Sequence, residues 1–479
     1  MAVSLDQFGL EGFFRTAKRA AEFIRRWVGR GDVITVVSHV DADGITAAGV
    51  VGTCLYRLGV PFRIHIVPWL DEDKISELAS EASGPLIFTD IGSSYMDSLA
   101  RGLGTKEVLV LDHHPPTGTP PPGWVEVNPH NHGLEGSKDV SGAGVAYFVA
   151  RELNPGFKDL APLAVVGAIS DIQDCFPGRE LRGLNELIVK DAVEAGLLEV
   201  AHDLVFYGRE TRPVHKAMAY TTTPFIPGIT YREDNCLAVL AKAGVEVKVD
   251  DRWRAVRDLT EDEKRRLLDA LAAFLAASGH SPDLVKELVG AVYTLVREEP
   301  WTPLRDAREF GSLLNACARM ERPDLGVAVC LGDRSRGLEE AMRTLEEYRS
   351  TLAKLVAKVQ SEPGMMEERD HIIVIHGRDE VGDRIVAALS SIISSGMVGT
   401  RKPLVAYAFS EDGEWAKVSA RLPPTRPKVN LGAVLREAAS RCLGQGGGHD
   451  VAAGARVPVG ELDEFLRTVE ELVRRQLSP

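Results

Sequence analysis

The sequence predicts an α/β protein: a parallel-sheet domain, a mostly helical insertion, and a smaller C-terminal α/β domain joined by a long helix. Three observations carry this. Through residues 1–209, short β-branched runs alternate with segments of helical periodicity, the pattern of a parallel sheet covered on both faces. After about residue 205 the alternation stops and helical signals dominate. Beyond Pro363 strands and helices alternate again.

In chain order, residues 11–30 read as helix, Asp32–Ser38 as a buried strand and 44–60 as helix. Phe62–Val67, Leu86–Thr89, Val108–Leu111 and Trp124–Val127 read as further strands, with helices between most of them. Residues 210–235, rich in Thr, Pro and Gly, read as connecting chain. Thr260-Glu-Asp-Glu263 is a capping box that opens a helix to about Ser278, and 282–320 continue mostly helical. An amphipathic helix with alternating charges spans Leu338 to about Val359. Then come strands at Ile372–Ile375, Leu404–Phe409 and Trp415–Ser419, with a helix over 380–395. Helices at 431–442 and 459–476 flank a glycine loop. The division expected is 1–209, an insertion at 210–300, a substrate-facing segment with the connecting helix at 301–363, and a C-terminal domain at 364–479.

Composition narrows the function classes. With 44% hydrophobic and 26% charged residues the chain is globular, and its 479 residues suit about three domains. No apolar run is long enough to cross a membrane and no signal peptide is read, so the expected location is cytoplasmic. The six cysteines form no C-x-x-C pair and read as free thiols. A net charge of −13 excludes broad non-specific coating of nucleic acid but not a nuclease, whose metal site is itself acidic.

Ligands of parallel sheets bind at the carboxyl ends of the strands, and there the chemistry-bearing residues gather. The first strand runs into Ser38-His39-Val40-Asp41-Ala42-Asp43-Gly44, the third into Asp90, the fourth into Asp112-His113-His114, and a helical apolar run into Asp171. In extended chain His39, Asp41 and Asp43 would share one face. A lone Asp after a strand usually caps a helix, but such a cluster without a cation would be electrostatically costly. His39, Asp41, Asp43, Asp90, His113 and Asp171 are six candidate ligands, too many for one open catalytic ion and suited to two. Oxygen donors with imidazoles fit Mn²⁺ or Mg²⁺. A second constellation, Gly446-Gly447-Gly448-His449, permits close approach to a phosphate, although a glycine run is also simply a flexible turn.

These motifs resemble the DHH phosphoesterase superfamily, and within it the RecJ-type single-strand exonucleases of the archaeal branch associated with the GINS replication complex. Ser141-Gly-Ala-Gly-Val-Ala-Tyr147 is similar to the helix start that follows the third motif of that family, and Asn315-Ala-Cys-Ala-Arg319-Met to its Asn-Ala-x-x-Arg-Met segment. Ser419-Ala-Arg421 and the glycine–His449 run resemble its DHH-associated C-terminal domain. The resemblance implies the six metal ligands above, with Mn²⁺ ahead of Mg²⁺ in two sites. It implies catalytic roles for Asp43 and for His114 beside the scissile phosphate, and an orienting role for Asp112. It implies substrate contacts from Asn315, Arg319, Ser419, Arg421, Gly446, Gly447, Gly448 and His449. The expected activity is metal-dependent hydrolysis of single-stranded DNA in the 5′→3′ direction, with RNA, digested from the opposite end, as a further substrate, in replication or repair beside GINS and the replicative helicase. Relative to bacterial RecJ, the resemblance leads us to expect no long C-terminal single-strand-binding extension. The chain carries an insertion placed as in the catalytically dead eukaryotic helicase subunit of the superfamily, which suggests a docking surface. Two other readings stand: a non-catalytic scaffold bridging helicase and GINS, and a nanoRNA or cyclic-dinucleotide phosphodiesterase.

Overall fold

The computed structural model describes residues 7–397 and 399–477. The chain divides into two compact units, Met1–Leu345 and Glu346–Pro479.

The first unit opens with α1 (Gln7–Arg30), β1 (Ile34–His39), α2 (Ala42–Arg57), β2 (Phe62–Val67), α3 (Glu72–Glu81), β3 (Leu86–Thr89), α4 (Met96–Leu103), β4 (Val108–Leu111) and β5 (Val125–Val127). The strands form one parallel sheet in the order β2-β1-β3-β4-β5. β3 and β4, interior to the sheet, are buried along their whole length, and so is the edge strand β5. Phe88, Val108 and Val110 pack with Ile75 and Leu78 of α3 and Leu99 of α4 on one face. Helices α2 and α5 (Gly142–Leu153) meet the sheet through β1, β3 and β4. Strand order reverses at β1, which has β2 on one side and β3 on the other. The reversal leaves a crevice beyond the adjoining strand ends, the place where such sheets bind ligands. Ser38 pairs with Thr89 there, so His39 and Asp90 leave neighbouring strands side by side.

After α6 (Ala161–Ser170) and α7 (Leu184–Glu194), β6 (Leu198–Leu204) leads into the insertion. It contains α8 (Val214–Ala219), α9 (Glu233–Lys242), β7 (Lys248–Val249), β8 (Arg252–Trp253) and α10 (Glu261–Ala277), and returns through β9 (Val289–Leu295). It has its own core, in which Phe206, Met218, Ile229, Leu240 and Leu271 are buried together. Two expectations are corrected here. Residues 210–235 are not merely connecting chain, since they fold into α8 and the start of α9. The stretch 282–320 is interrupted by β9, which pairs antiparallel with β6. That pairing joins segments far apart in sequence, and a local reading of propensity does not see it. The unit continues through α11 (Ala307–Arg319), α12 (Pro323–Cys330) and the start of α13 (Arg336–Ser361).

The second unit follows with β10 (Met366–Glu368), β11 (Ile373–His376), α14 (Val386–Ser395), β12 (Leu404–Phe409), β13 (Trp415–Arg421), α15 (Leu431–Arg441), β14 (Gln445–Gly448), β15 (Ala452–Pro458) and α16 (Leu462–Leu477). Its sheet runs β10-β11-β12-β13-β15-β14, with β11 and β12 parallel and the other pairs antiparallel. The glycine run is an edge strand, not a loop. Gly446, Gly447 and Gly448 pair with Ala455, Gly454 and Ala453 of β15. Glycine's low strand propensity hid it. Close packing explains the residue type, because a Cβ on Gly446 would lie 2.5 Å from the Leu435 carbonyl oxygen of α15.

The insertion is braced by Arg254, which gives both terminal nitrogens to Glu263 at 2.7 Å, next to the Thr260 capping box. That guanidinium, against the opposing effect of burial, holds the Glu263 carboxyl at about 2, below its ordinary 4.5. A depressed carboxyl stabilises the fold above its unfolded pKa and loses that contribution as pH falls toward the folded one. Glu263→Gln is therefore expected to cost about 2 kcal/mol at pH 7. Urea unfolding should show the gap to the unmodified protein closing as pH falls from 4.5 to about 2.

Candidate active site

His39 ends β1. Asp41 is the N-cap of α2, with its side chain accepting from Gly44 N at 2.9 Å, and Asp43 lies in that helix's first turn. The expectation of three side chains on one face of extended chain is therefore corrected. The chain turns into a helix at Asp41, and the capping role and a place in the site coexist in that one residue. Asp43 is buried, and the start of α5 donates to it: Gly142 N at 2.7 Å and Ala143 N at 3.0 Å. The approach requires glycine, since a Cβ on Gly142 would stand 2.6 Å from the Asp90 side chain.

Asp90 follows β3 with φ +57, a left-handed backbone that Asp tolerates better than most residues. Such conformations persist where surrounding structure enforces them, often at functional sites. Both its carboxylate oxygens are buried without a hydrogen bond of good geometry, although His113 Nε2 stands 3.1 Å from Oδ1. His39 Nδ1, 3.0 Å from Asp41 and 3.6 Å from Asp90, is likewise buried and unsatisfied. Donor atoms of His39, Asp41 and Asp90 lie within 4.8 Å of one another, as do those of Asp43, His113 and Asp171. A third such group joins Asp90 to Asp112, His113 and His114. Orphaned buried carboxylate oxygens beside imidazoles are a donor set that fits divalent cations.

Protons compete with cations for this cluster. Burial disfavours charge on His113, but Asp90, Asp171 and Asp43 outweigh it and raise the imidazole well above its ordinary range. Asp41 and Asp90 do the same for His39, and His39 with Gly44 N in turn holds Asp41 low despite burial. Burial and then Asp90 push Asp43 well up. Burial first, with Asp90 adding to it, brings Asp171 to about 6.

Asp112 is engaged throughout. Oδ1 accepts from His113 N at 2.7 Å and His114 Nδ1 at 2.8 Å, and Oδ2 accepts from Ser93 N at 2.9 Å. Burial would lower the pKa of His114, but the bond to Asp112 raises it to about 9, so this part-exposed imidazole is charged at neutral pH.

Two residues escaped the sequence reading. Gln173, fully buried, donates from Nε2 to Asp171 Oδ2 and to Gly136 O, both at 2.8 Å. The same carbonyl receives His113 Nδ1 at 2.7 Å, which leaves Nε2 toward the carboxylates. Asn185 Nδ2 holds Gln173 Oε1 at 2.6 Å. Gln173 reaches this place because α6 ends in a tight turn: Gln173 N bonds Ala168 O and Ile172 N bonds Ile169 O. Ile172 occupies the left-handed position there, at φ +59, where glycine is usual. The short spacing from Asp171 was the only signal in the sequence.

Asn315 on α11 accepts from Ala42 N at 3.2 Å, between Asp41 and Asp43, and Arg319 lies one turn further along the helix. In the second unit Ser419 is buried and bonds Ser390 at 2.9 Å, while Arg421 donates from Nε to Ser391 at 2.8 Å. Both therefore reach α14. Exposed His449 follows the glycine edge strand, and its amide bonds Ala452 O at 2.9 Å.

Models of the DHH family N-terminal domain, the DHH-CID domain and the DHHA1 domain match residues 33–168, 206–289 and 382–475. An uncharacterized protein of Methanocaldococcus jannaschii is 30% identical over 453 residues, covering 93% of this chain and 94% of its own. The single-stranded-DNA-specific exonuclease RecJ of Haemophilus influenzae is 32% identical over 166 residues, which are 29% of this chain and 28% of that protein. Among solved structures, RecJ of Thermus thermophilus in complex with Mn²⁺ matches with a TM-score of 0.58 at 20% identity, over 96% of this chain and 55% of that one. CDC45 from Entamoeba histolytica matches with a TM-score of 0.63 at 11% identity, over 96% and 99%. At such identities the structures show a shared fold.

Two outcomes are expected of the site. Asp90→Asn keeps a residue that tolerates the left-handed backbone while removing a buried charge. It should raise the melting temperature in EDTA and abolish most of the rise that Mn²⁺ gives the unmodified protein, as read by thermal unfolding. Gln173→Met preserves volume but leaves Asp171 without its donor. Isothermal titration should show Mn²⁺ binding weakened about 10- to 100-fold.

Proposed function

The chain belongs to the DHH superfamily as a RecJ-like member, and from that premise we propose that it is a metal-dependent exonuclease acting on single-stranded DNA, with RNA as a further substrate. The observation that carries the reading is the convergence of His39, Asp41 and Asp90 with Asp43, His113 and Asp171 at the sheet's switch point. On this reading the two triads hold two divalent cations, Mn²⁺ ahead of Mg²⁺. When bound, these supply Lewis-acid charge and a water of lowered pKa. The chain's own residues do the rest. The α5 amides fix Asp43, and Gln173 fixes Asp171 and, through Gly136 O, the ring of His113. His114, kept charged by Asp112, faces charge developing on the phosphate and can protonate the leaving oxygen. Digestion is proposed to run 5′→3′ in a cytoplasmic replication or repair setting, with GINS and the replicative helicase as partners.

A second reading has one observation in its favour. The fold matches CDC45 along nearly the whole of both chains, which suits a scaffold within the replication machinery. The ligand set favours catalysis, and the two roles are compatible. The deciding experiment is digestion of 5′- and 3′-labelled single-stranded DNA and RNA with Mn²⁺, set against Asp171→Ala. Mononucleotide release that falls at least about 100-fold in the variant supports the enzyme. Equal background release from both proteins leaves the scaffold.

A further inference from the structure

The chain is acidic as a whole, with a net charge of −13, yet α1 carries Arg15, Lys18, Arg19, Arg25, Arg26 and Arg30 against only Glu11 and Glu22. Its buried face holds Phe13, Ala17, Ala20, Ile24 and Trp27, so its cations fall on the solvent face. On several other helices this protein pairs surface arginines within the same helix: Arg265 with Asp262 on α10, Arg343 with Glu339 on α13, Arg467 with Glu464 on α16. On α1 it does not. Arg15, Lys18, Arg19 and Arg26 are exposed and pair with no carboxylate among the described residues. Arg19 and Arg26 lie instead over the ring of Phe23, at 5.9 and 4.3 Å from its centre. Arg25 is spent on the main-chain carbonyls of Glu152 and Leu153, which leaves its charge uncompensated. Glu107, a carboxylate within the influence of Arg26, is taken by Arg30. Glu22 is the single acidic residue between Arg15 and Arg26, and Glu11 lies one turn before the stripe on the same face.

The stripe begins at the catalytic rim. Gly9 and Gly12 of α1 press on His132, where a Cβ would lie 2.4 and 2.7 Å from it. His132 ends the turn that follows β5, and Asn128 at the start of that turn donates to His114 O at 2.9 Å. From Arg15 to Arg26 the helix then runs about 16 Å away from the rim. Spacings of three, four and eleven residues keep these four side chains on one face.

We propose that the exposed face of α1 is a track for the phosphate backbone of single-stranded nucleic acid, holding the part of the strand that extends beyond the cleaved end. It rests on the nuclease reading above and gives that site a preference for long over short substrates. The cations neutralise phosphates without reading sequence, so DNA and RNA share the surface.

The test replaces all four cations together, Arg15→Gln, Lys18→Gln, Arg19→Gln and Arg26→Gln. All are exposed helix positions where Gln keeps helix propensity. Binding of fluorescein-labelled 20-nucleotide oligo(dT) and oligo(U) is measured by anisotropy in EDTA between 50 and 300 mM KCl. Mn²⁺-dependent hydrolysis of bis(p-nitrophenyl) phosphate is measured alongside. Expected are a loss of affinity of about 10- to 100-fold at 50 mM KCl and a salt slope smaller by about 3, for four contacts at 0.7 each. The melting temperature and the small-substrate rate should not change. An unchanged slope and affinity for both strands overturns the track. So does a 20-residue poly-glutamate that displaces the strand as well as unlabelled oligonucleotide does, which would make the face a site for acidic protein. Failure of the nuclease reading looks different: the unmodified protein binds the strand through α1 yet hydrolyses neither substrate with Mn²⁺.

Discussion

Repulsion among buried carboxylates at the end of one sheet is the constraint around which the first unit is arranged. Asp43, Asp90 and Asp112 are buried within reach of one another's histidines, and Asp171 sits at the margin. No folded chain leaves such charges together without compensation. Some of it is supplied by the Gly142 and Ala143 amides at the start of α5, which donate to Asp43, and residue 142 must be glycine because a Cβ there would strike Asp90. Some comes from Ser93 N, His113 N and the His114 ring, which together engage both oxygens of Asp112. Asp90 is left with two unsatisfied oxygens. On the reading proposed above, those two oxygens are where a divalent cation would supply the missing compensation.

Geometry of the sheet decides which residues can share that burden. The order reversal at β1 brings the ends of β1 and β3 together, and the parallel pairing of β3 with β4 brings Asp112, His113 and His114 alongside. Asp171 arrives from a different element, the end of α6. The turn that delivers it places Ile172 in a left-handed backbone. A β-branched residue there costs on the order of 1–2 kcal/mol. What it secures is the return of Gln173 beneath the site, where one side chain ties Asp171 to the carbonyl that orients His113.

Much of this was legible in the sequence. The five strands of the first sheet, the long connecting helix and the six candidate ligands follow from periodicity and from acidic residues repeating at strand ends. What escaped was non-local. β9 gains its identity from β6, a partner before the insertion. β14 is a glycine strand that holds its place through β15 on one side and α15 above. Gln173 and Asn185 are unremarkable as residue types, and their role lies in three hydrogen bonds that close only in the folded chain. The expectation of His39, Asp41 and Asp43 on one face rested on the wrong backbone, and the structure places His39 and Asp41 with Asp90 but Asp43 with His113 and Asp171. The helix that begins at Asp41, rather than an extended run, carries two of them into the site.

The β6–β9 pairing at the base of the insertion has a consequence for how such a chain can change over time. Leu198 pairs with Leu295 and Leu204 with Val289, so the insertion leaves and re-enters the parent domain along one two-stranded clasp. Its ends stay adjacent whatever lies between them. Beyond the clasp the insertion meets the parent domain at α11, where Glu210 N and the Thr211 hydroxyl donate to Glu309. The segment between can lengthen, shrink or be exchanged with little strain on the sheet, because closing a loop costs little more as the loop grows. The insertion is in that sense an exchangeable module, able to acquire new partners while the residues at the strand ends stay fixed.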